Sequence, residues 1–247
     1  MIPLKDDAPR VSTPYVNVTL ILLNTLVFAF QYWIGKNSPL AAASLISQLG
    51  VVPERLTVVL FDNGYVPWNS QLDVRYVPPM AAILPLFTSM FLHGSWLHVI
   101  GNMWALWIFG DNVEDRLGHA WYLVFYLICG VAAALFHTLL NASSVIPTVG
   151  ASGAIAGVMG AYFLLYPRAR VLTLVPLFFV FFVWLPAWVV LSYWFVWQFL
   201  SGAATSFASL SGNSGGIAFW AHVGGFLAGM LLIKLFPSRA RRYHYGW

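Results

Sequence analysis

The sequence predicts an all-α polytopic membrane protein, a single bundle of six transmembrane helices, and three observations predict it. Of 247 residues, 60% are hydrophobic and only 8% charged, which excludes an ordinary soluble domain. With 12 Trp and 19 Phe, much of the apolar surface is aromatic, as suits side chains facing lipid or its interface. The charges flank long apolar runs rather than interrupting them. The formal charge of +4 does not point to nucleic acid, because the basic residues do not gather on one amphipathic element.

A hydrocarbon core of ~30 Å requires ~20 apolar residues per helix. The candidate spans are about 15–34, 91–110, 120–140, 152–166, 182–203 and 217–236. "LAAAS" after the first run loosely resembles a signal cleavage site, but the run is long enough to span and reads as an uncleaved helix. The fifth span has the least certain start, since residues 171–200 carry no charge and Pro176 and Pro186 could each mark a start or a kink. With both termini cytoplasmic, Lys5, Arg10, Arg116, Arg168, Arg170, Lys234, Arg239, Arg241 and Arg242 fall inside, against Lys36, Arg55 and Arg75 outside. The long connection 35–90 reads as a partly ordered element lying at the membrane interface. Cys129 stands alone in an apolar segment, which excludes disulfides and cysteine metal sites within the chain.

Depth then sorts the polar residues. From Ser152 to Pro167 there is room for ~15 helical residues, or ~22 Å, so one end of that helix stops inside the bilayer. "PRAR" pins the inner end, which leaves Gly150 and Ser152 recessed from the outer face and 141–151 as a loop dipping inward. His222 lies ~9 Å below the start of the sixth span, near Gly215 or Gly216. In "HGSWLHVIGN", His98 and Asn102 share one face at i and i+4 in the outer half of the second span. Taken singly, each residue reads as interhelical packing or hydrogen-bond glue, and Gly153 with Gly157 and Gly225 with Gly229 are small-xxx-small patterns. Their common depth shifts the reading toward a site.

A serine hydroxyl needs a base within reach, and His222 is the candidate for Ser152. No Asp or Glu follows Asp115, so a Ser and His pair without a carboxylate is the economical reading. Asp111, Glu114 and Asp115 sit at the far end of the second span, leaving only Glu54, Asp62 and Asp73 of the outer connection able to approach. Asn102, His98 and the Ser152 amide can supply donors to an oxyanion. The pattern G-x-S-x-G is not met, since Ala154 follows Gly153, which argues against an α/β-hydrolase.

"HGSWLHVIGN", "FGDNVEDRLG", "GASG" and "AHVGGFLAG", in this order and topology, resemble the rhomboid intramembrane serine proteases over nearly the whole chain. The resemblance implies a single rhomboid-like membrane domain over residues 1–247, with Ser152 as nucleophile and His222 as general base. It implies an oxyanion hole of His98, Asn102 and the Ser152 amide, a loop shaped by Gly150, and His93 as a polar residue supporting a wet cavity. Substrates would be membrane proteins cut within a transmembrane segment, at small residues with helix-weakening ones below, and no cofactor or metal is called for. One departure stands out: where some members carry an aromatic residue beneath the histidine, this chain has Ala156. Its substitute could be an aromatic of the fifth span.

Three other readings stay open: a catalytically inactive relative that binds membrane clients, a transporter, and a haem-binding bundle using two of His93, His98, His137 and His222. His119 and His244 read as surface residues. A compact chain without a visible targeting segment suggests a prokaryotic plasma membrane, with the lipid bilayer and membrane-protein substrates as partners and no nucleic acid.

Overall fold

The computed structural model describes residues 1–67, 74–176, 179–209 and 218–237. Asp73, Gly215, Gly216, Arg239, Arg241, Arg242 and His244 lie outside the described residues. The order is β1 (Ile2–Asp6), α1 (Tyr15–Asn37), α2 (Pro39–Leu49), α3 (Pro53–Phe61), β2 (Tyr65–Pro67), β3 (Val74–Tyr76), α4 (Pro79–Ile83), α5 (Pro85–Thr88), a 3-10 turn (Ser89–Phe91), α6 (Trp96–Leu117) and α7 (His119–Leu140). It continues with α8 (Ser152–Leu165), β4 (Arg170–Pro176), β5 (Val180–Pro186), α9 (Ala187–Ser209) and α10 (Phe219–Leu232). Each of the six expected spans has a helix. Among the described residues α1, α7 and α9 are long and apolar enough to cross a bilayer, joined by α6 if it counts with the segment Pro79–Phe91, bent 77° from it, as one broken span.

At 14 residues each, α8 and α10 are ~21 Å long, short of the ~30 Å core. Every residue of α8 from Gly153 to Tyr162 is buried, so this short helix lies at the centre of the bundle. A helix with apolar and small residues all round suits that position. Close approach is built from glycine: a Cβ at Gly225 would sit 2.1 Å from the Gly153 carbonyl oxygen, one at Gly229 1.9 Å from that of Gly157, and one at Gly160 2.1 Å from that of Phe226. On the other flank a Cβ at Gly157 would meet Cys129 of α7 at 2.4 Å, which gives the buried thiol a packing role. In lipid such contacts hold helices together through dispersion and not through water exclusion.

The end of the bundle that receives the N-terminus is tied by the acidic residues of α6. Glu114 accepts from the backbone N–H groups of Val16 and Asn17 at 3.0 and 2.7 Å, capping an α1 that has no side-chain cap of its own. Asp115 accepts from the N–H and the hydroxyl of Ser12, and Asp111 pairs with Arg10 at 2.9 Å. A buried stripe on α1 carries amides inward: Asn17 donates to the Leu106 carbonyl at 3.0 Å and accepts from the Tyr122 hydroxyl at 2.7 Å.

Two expected boundaries move. The second span starts at Trp96 and not near 91, because Ser95 takes an extended conformation and its hydroxyl accepts from the His98 N–H at 3.2 Å, an N-cap. The fifth starts at Ala187 and not at 182, because Val180–Pro186 is a strand. It pairs antiparallel with β4 from Arg170 opposite Pro186 to Pro176 opposite Val180. The order β1-β4-β5 makes a small sheet at the N-terminal end. Pro176 and Pro186 thus close strands, where a missing N–H costs little.

At the other end the long connection clamps the loop 141–151. Val51 and Thr148 exchange backbone hydrogen bonds of 3.0 and 2.7 Å, the Glu54 N–H donates to the Ser144 carbonyl at 3.0 Å, and the Gly150 N–H donates to the Ser89 carbonyl at 2.9 Å. Short helices α2 to α5 therefore act as a brace for the segment leading into α8.

Two outcomes follow for stability. Gly229→Ala pushes a methyl into the Gly157 carbonyl and is expected to cost ~1–3 kcal/mol by thermal melting, whereas Gly101→Ala, with nothing within 4 Å of its Cβ, leaves the melting point unchanged or higher. Burial raises the Asp6 carboxyl from 3.8 to about 6, against the lowering effect of the Tyr162 hydroxyl that donates to it. The folded chain therefore holds this proton more tightly than the unfolded one, and the stabilisation, complete below pH 3.8, is lost as pH rises through about 6. Asp6→Asn is expected to raise the melting temperature above that range and to match wild type below it.

Candidate active site

Ser152 opens α8 and His222 lies in the first turn of α10, and the glycine contact brings the two helix starts together. The Ser152 Oγ is 2.7 Å from His222 Nε2. On the other side of the ring, His222 Nδ1 is 2.7 Å from Oε1 of Gln198 on α9. An amide oxygen only accepts, so Nδ1 carries the hydrogen and Nε2 is left with a lone pair facing the serine hydroxyl. Trp194, one turn before Gln198, sets its ring 5.9 Å from the imidazole, and Phe219 meets it edge-on at 6.4 Å. The partner that Ala156 does not provide thus comes from α9.

Both residues stand on the wall of a cavity of about 730 Å³ that also includes His98, Asn102 and Gly150. Gly150 has φ +132°, a conformation L side chains rarely adopt, and a Cβ there would lie 2.7 Å from the His98 ring. That glycine lets the His98 imidazole lie against the backbone just before the serine. Ala151, the residue before α8, offers no side-chain cap, so the first N–H groups of the helix have no partner within it. They face an end of α8 where the helix dipole is positive.

His93 sits a layer behind this wall, buried, with Nε2 3.0 Å from the Asn102 amide nitrogen. Gln31 of α1 clamps its backbone in both directions, accepting from the His93 N–H at 3.1 Å and donating to its carbonyl at 2.8 Å. The result is a relay of fixed groups, Gln31 to His93 to Asn102, that ends at the cavity.

Of the expected residues, Ser152, His222, His98, Asn102 and Gly150 share one cavity, while His93 supports it from behind. The carboxylates of α6 are engaged with the N-terminal segment at the far end, and among the described residues the polar partner of His222 Nδ1 is an amide. As for the haem reading, both ring nitrogens of His222 and Nε2 of His93 are engaged in hydrogen bonds within the protein. Sequence reasoning missed Gln198 and Gln31. Each carried a signal: an amide inside an apolar helix, costly in lipid unless it finds a partner.

A family model described as the Rhomboid domain matches residues 81–239. Among curated proteins the chain is similar to Rhomboid protein 1, mitochondrial, of Saccharomyces cerevisiae, 33% identical over 152 residues that make up 60% of this chain and 40% of the yeast protein. It is 28% identical to RHOMBOID-like protein 1 of Arabidopsis thaliana, over 60% of this chain and 39% of the plant protein. With Presenilin-associated rhomboid-like protein A, mitochondrial, of Danio rerio it shares 32% identity over 47% of this chain and 32% of the fish protein. The chain spans less than half the length of these relatives. They overturn the expectation of a prokaryotic plasma membrane, since they are eukaryotic and two bear mitochondrial names. That expectation rested on compactness without a visible targeting segment or soluble domain, and compactness carries no physical information about which membrane holds a bundle.

Gly150→Ala forces a strained φ and a methyl against the His98 ring, and is expected to lower stability by ~1–3 kcal/mol in thermal melts of the purified protein.

Proposed function

Because the chain belongs to the rhomboid family, a family of intramembrane serine proteases, we propose that it is an endopeptidase that cuts membrane-protein substrates within a transmembrane segment, with Ser152 as nucleophile and His222 as general base. The observation that carries the reading is the 2.7 Å approach of Ser152 Oγ to His222 Nε2 on the wall of a cavity inside the bundle.

In the proposed scheme His222 Nε2 takes the hydroxyl proton as Oγ attacks the carbonyl carbon of the scissile peptide. The carbonyl oxygen becomes an oxyanion, stabilised by the Ser152 N–H, the His98 ring and the remaining amide hydrogen of Asn102. The imidazolium then gives its proton to the leaving amide nitrogen, the C–N bond breaks, and Ser152 is left as an ester. Water from the cavity attacks that ester with His222 again as base, releasing the new carboxylate and restoring the hydroxyl.

Access for a substrate helix is proposed beside α9. A cleft of about 230 Å³ lies along the first half of α9, toward the sheet end, lined by Pro3 of β1, Phe109 of α6, Met159 of α8 and Trp194 of α9. For location, the mitochondrial names among the relatives support a mitochondrial membrane.

The test is reconstitution into vesicles with a model transmembrane substrate. Wild type is expected to cleave it and to be labelled by a fluorophosphonate, while Ser152→Ala and His222→Ala lose cleavage by ~10³-fold or more with the fold retained. Cleavage by Ser152→Ala at the wild-type rate, or a folded wild type that neither cleaves nor labels, would overturn the proposal and leave a client-binding relative as the reading.

A further inference from the structure

We propose that Gln198 is a positioning residue for His222, so that the working unit is Ser152, His222 and Gln198 drawn from three helices. This rests on the protease reading above.

A neutral imidazole has one N–H and can place it on either nitrogen. Only the tautomer with the hydrogen on Nδ1 leaves Nε2 free to accept from Ser152. In water, solvent would satisfy either form; inside a packed bundle the neighbours decide. Gln198 Oε1, at 2.7 Å from Nδ1, favours the productive tautomer and fixes the plane of the ring. When Nε2 takes the serine proton, the same contact becomes a charge-assisted hydrogen bond and steadies the cation.

A carboxylate would do this more strongly, yet burying one among apolar helices carries a large desolvation cost. An amide supplies the acceptor without the charge. Gln198 is itself buried, and its place one turn beyond Trp194 puts the acceptor and the ring contact on one face of α9. The ring of His222 is therefore held from α9 at an edge and at a side, while Ser152 approaches from α8. The docking of α9 against α10 and the orientation of the base become one event.

The experiment uses the full chain in detergent and in vesicles, reading the rate at which a fluorophosphonate labels Ser152, the kcat and KM for a model transmembrane substrate, and the proton resonance of ¹⁵N-histidine-labelled His222. Gln198→Met keeps the side-chain length and removes the acceptor. It is expected to slow labelling and kcat about tenfold or more with KM within about twofold, and to abolish the downfield Nδ1–H signal. Gln198→Glu restores an acceptor and is expected to recover the rate to within about threefold of wild type and to retain that signal. If Gln198→Met fails to fold, Gln198→Asn, one methylene shorter, is expected to show the same loss. Labelling and kcat at the wild-type rate in a folded Gln198→Met or Gln198→Asn would overturn the role of Gln198 alone. Wild-type protein that neither labels nor cleaves would instead bring down the protease reading and this inference with it.

Discussion

The backbone contact between α8 and α10 is the constraint on which the rest depends. Serine is a short side chain, and its Oγ reaches a histidine on another helix only if the two helices touch at backbone distance. A Cβ at Gly225 or Gly229 of α10 would drive into the carbonyl oxygen of Gly153 or Gly157 of α8, and one at Gly160 into that of Phe226, so these glycines let the two backbones meet. Ser152 directly precedes Gly153, and His222 lies one turn before Gly225. The packing motif and the chemical pair are therefore adjacent parts of one interface. Lipid supplies no hydrophobic drive between helices, so close dispersion contact along this seam is what keeps the pair in register.

Because α8 is central and short, its two ends meet different surroundings and the polar residues divide accordingly. At the sheet end charge is used freely: Asp111, Glu114 and Asp115 hold the N-terminal segment and the first turn of α1. At the cavity end the contacts around the serine are made by histidines, amides, hydroxyls and backbone groups. The loop 141–151 is held against the bundle because backbone groups of Ser144, Thr148 and Gly150 are met by Glu54, Val51 and Ser89. Non-helical backbone at membrane depth is tolerable only under such cover. A connection that reads as an interfacial element in the sequence thus serves the site from a distance.

Much of this was legible in the sequence, for a physical reason: lipid makes hydrophobicity and charge unusually informative. Span positions, the shortness of α8 and the depth shared by Ser152, His222, His98 and Asn102 all follow from length and polarity. The hairpin of β4 and β5 did not, because "VFFVWLP" is as apolar as a spanning helix and only its β-branched and aromatic content, closed by Pro186, separates the two. Gln198 escaped notice because attention fell on side chains that can act as acids, bases or nucleophiles. Gln31 lay fourteen residues beyond Asn17 on one face of α1, a heptad rhythm of amides visible in the letters but without meaning until their partners were known.

Neutrality around the base has a mechanistic consequence. In the proposed scheme charge arises at the site during turnover, as an imidazolium at His222 and an oxyanion beside His98 and Asn102. Stabilising both then depends on dipoles oriented in advance, since neither lipid nor packed side chains can reorganise as water does. The two amide chains, Gln31 through His93 to Asn102 and Gln198 to His222, would provide such orientation at the two places where that scheme develops charge. One begins on α1 and the other on α9. In that scheme two further helices orient the dipoles around a pair carried by α8 and α10.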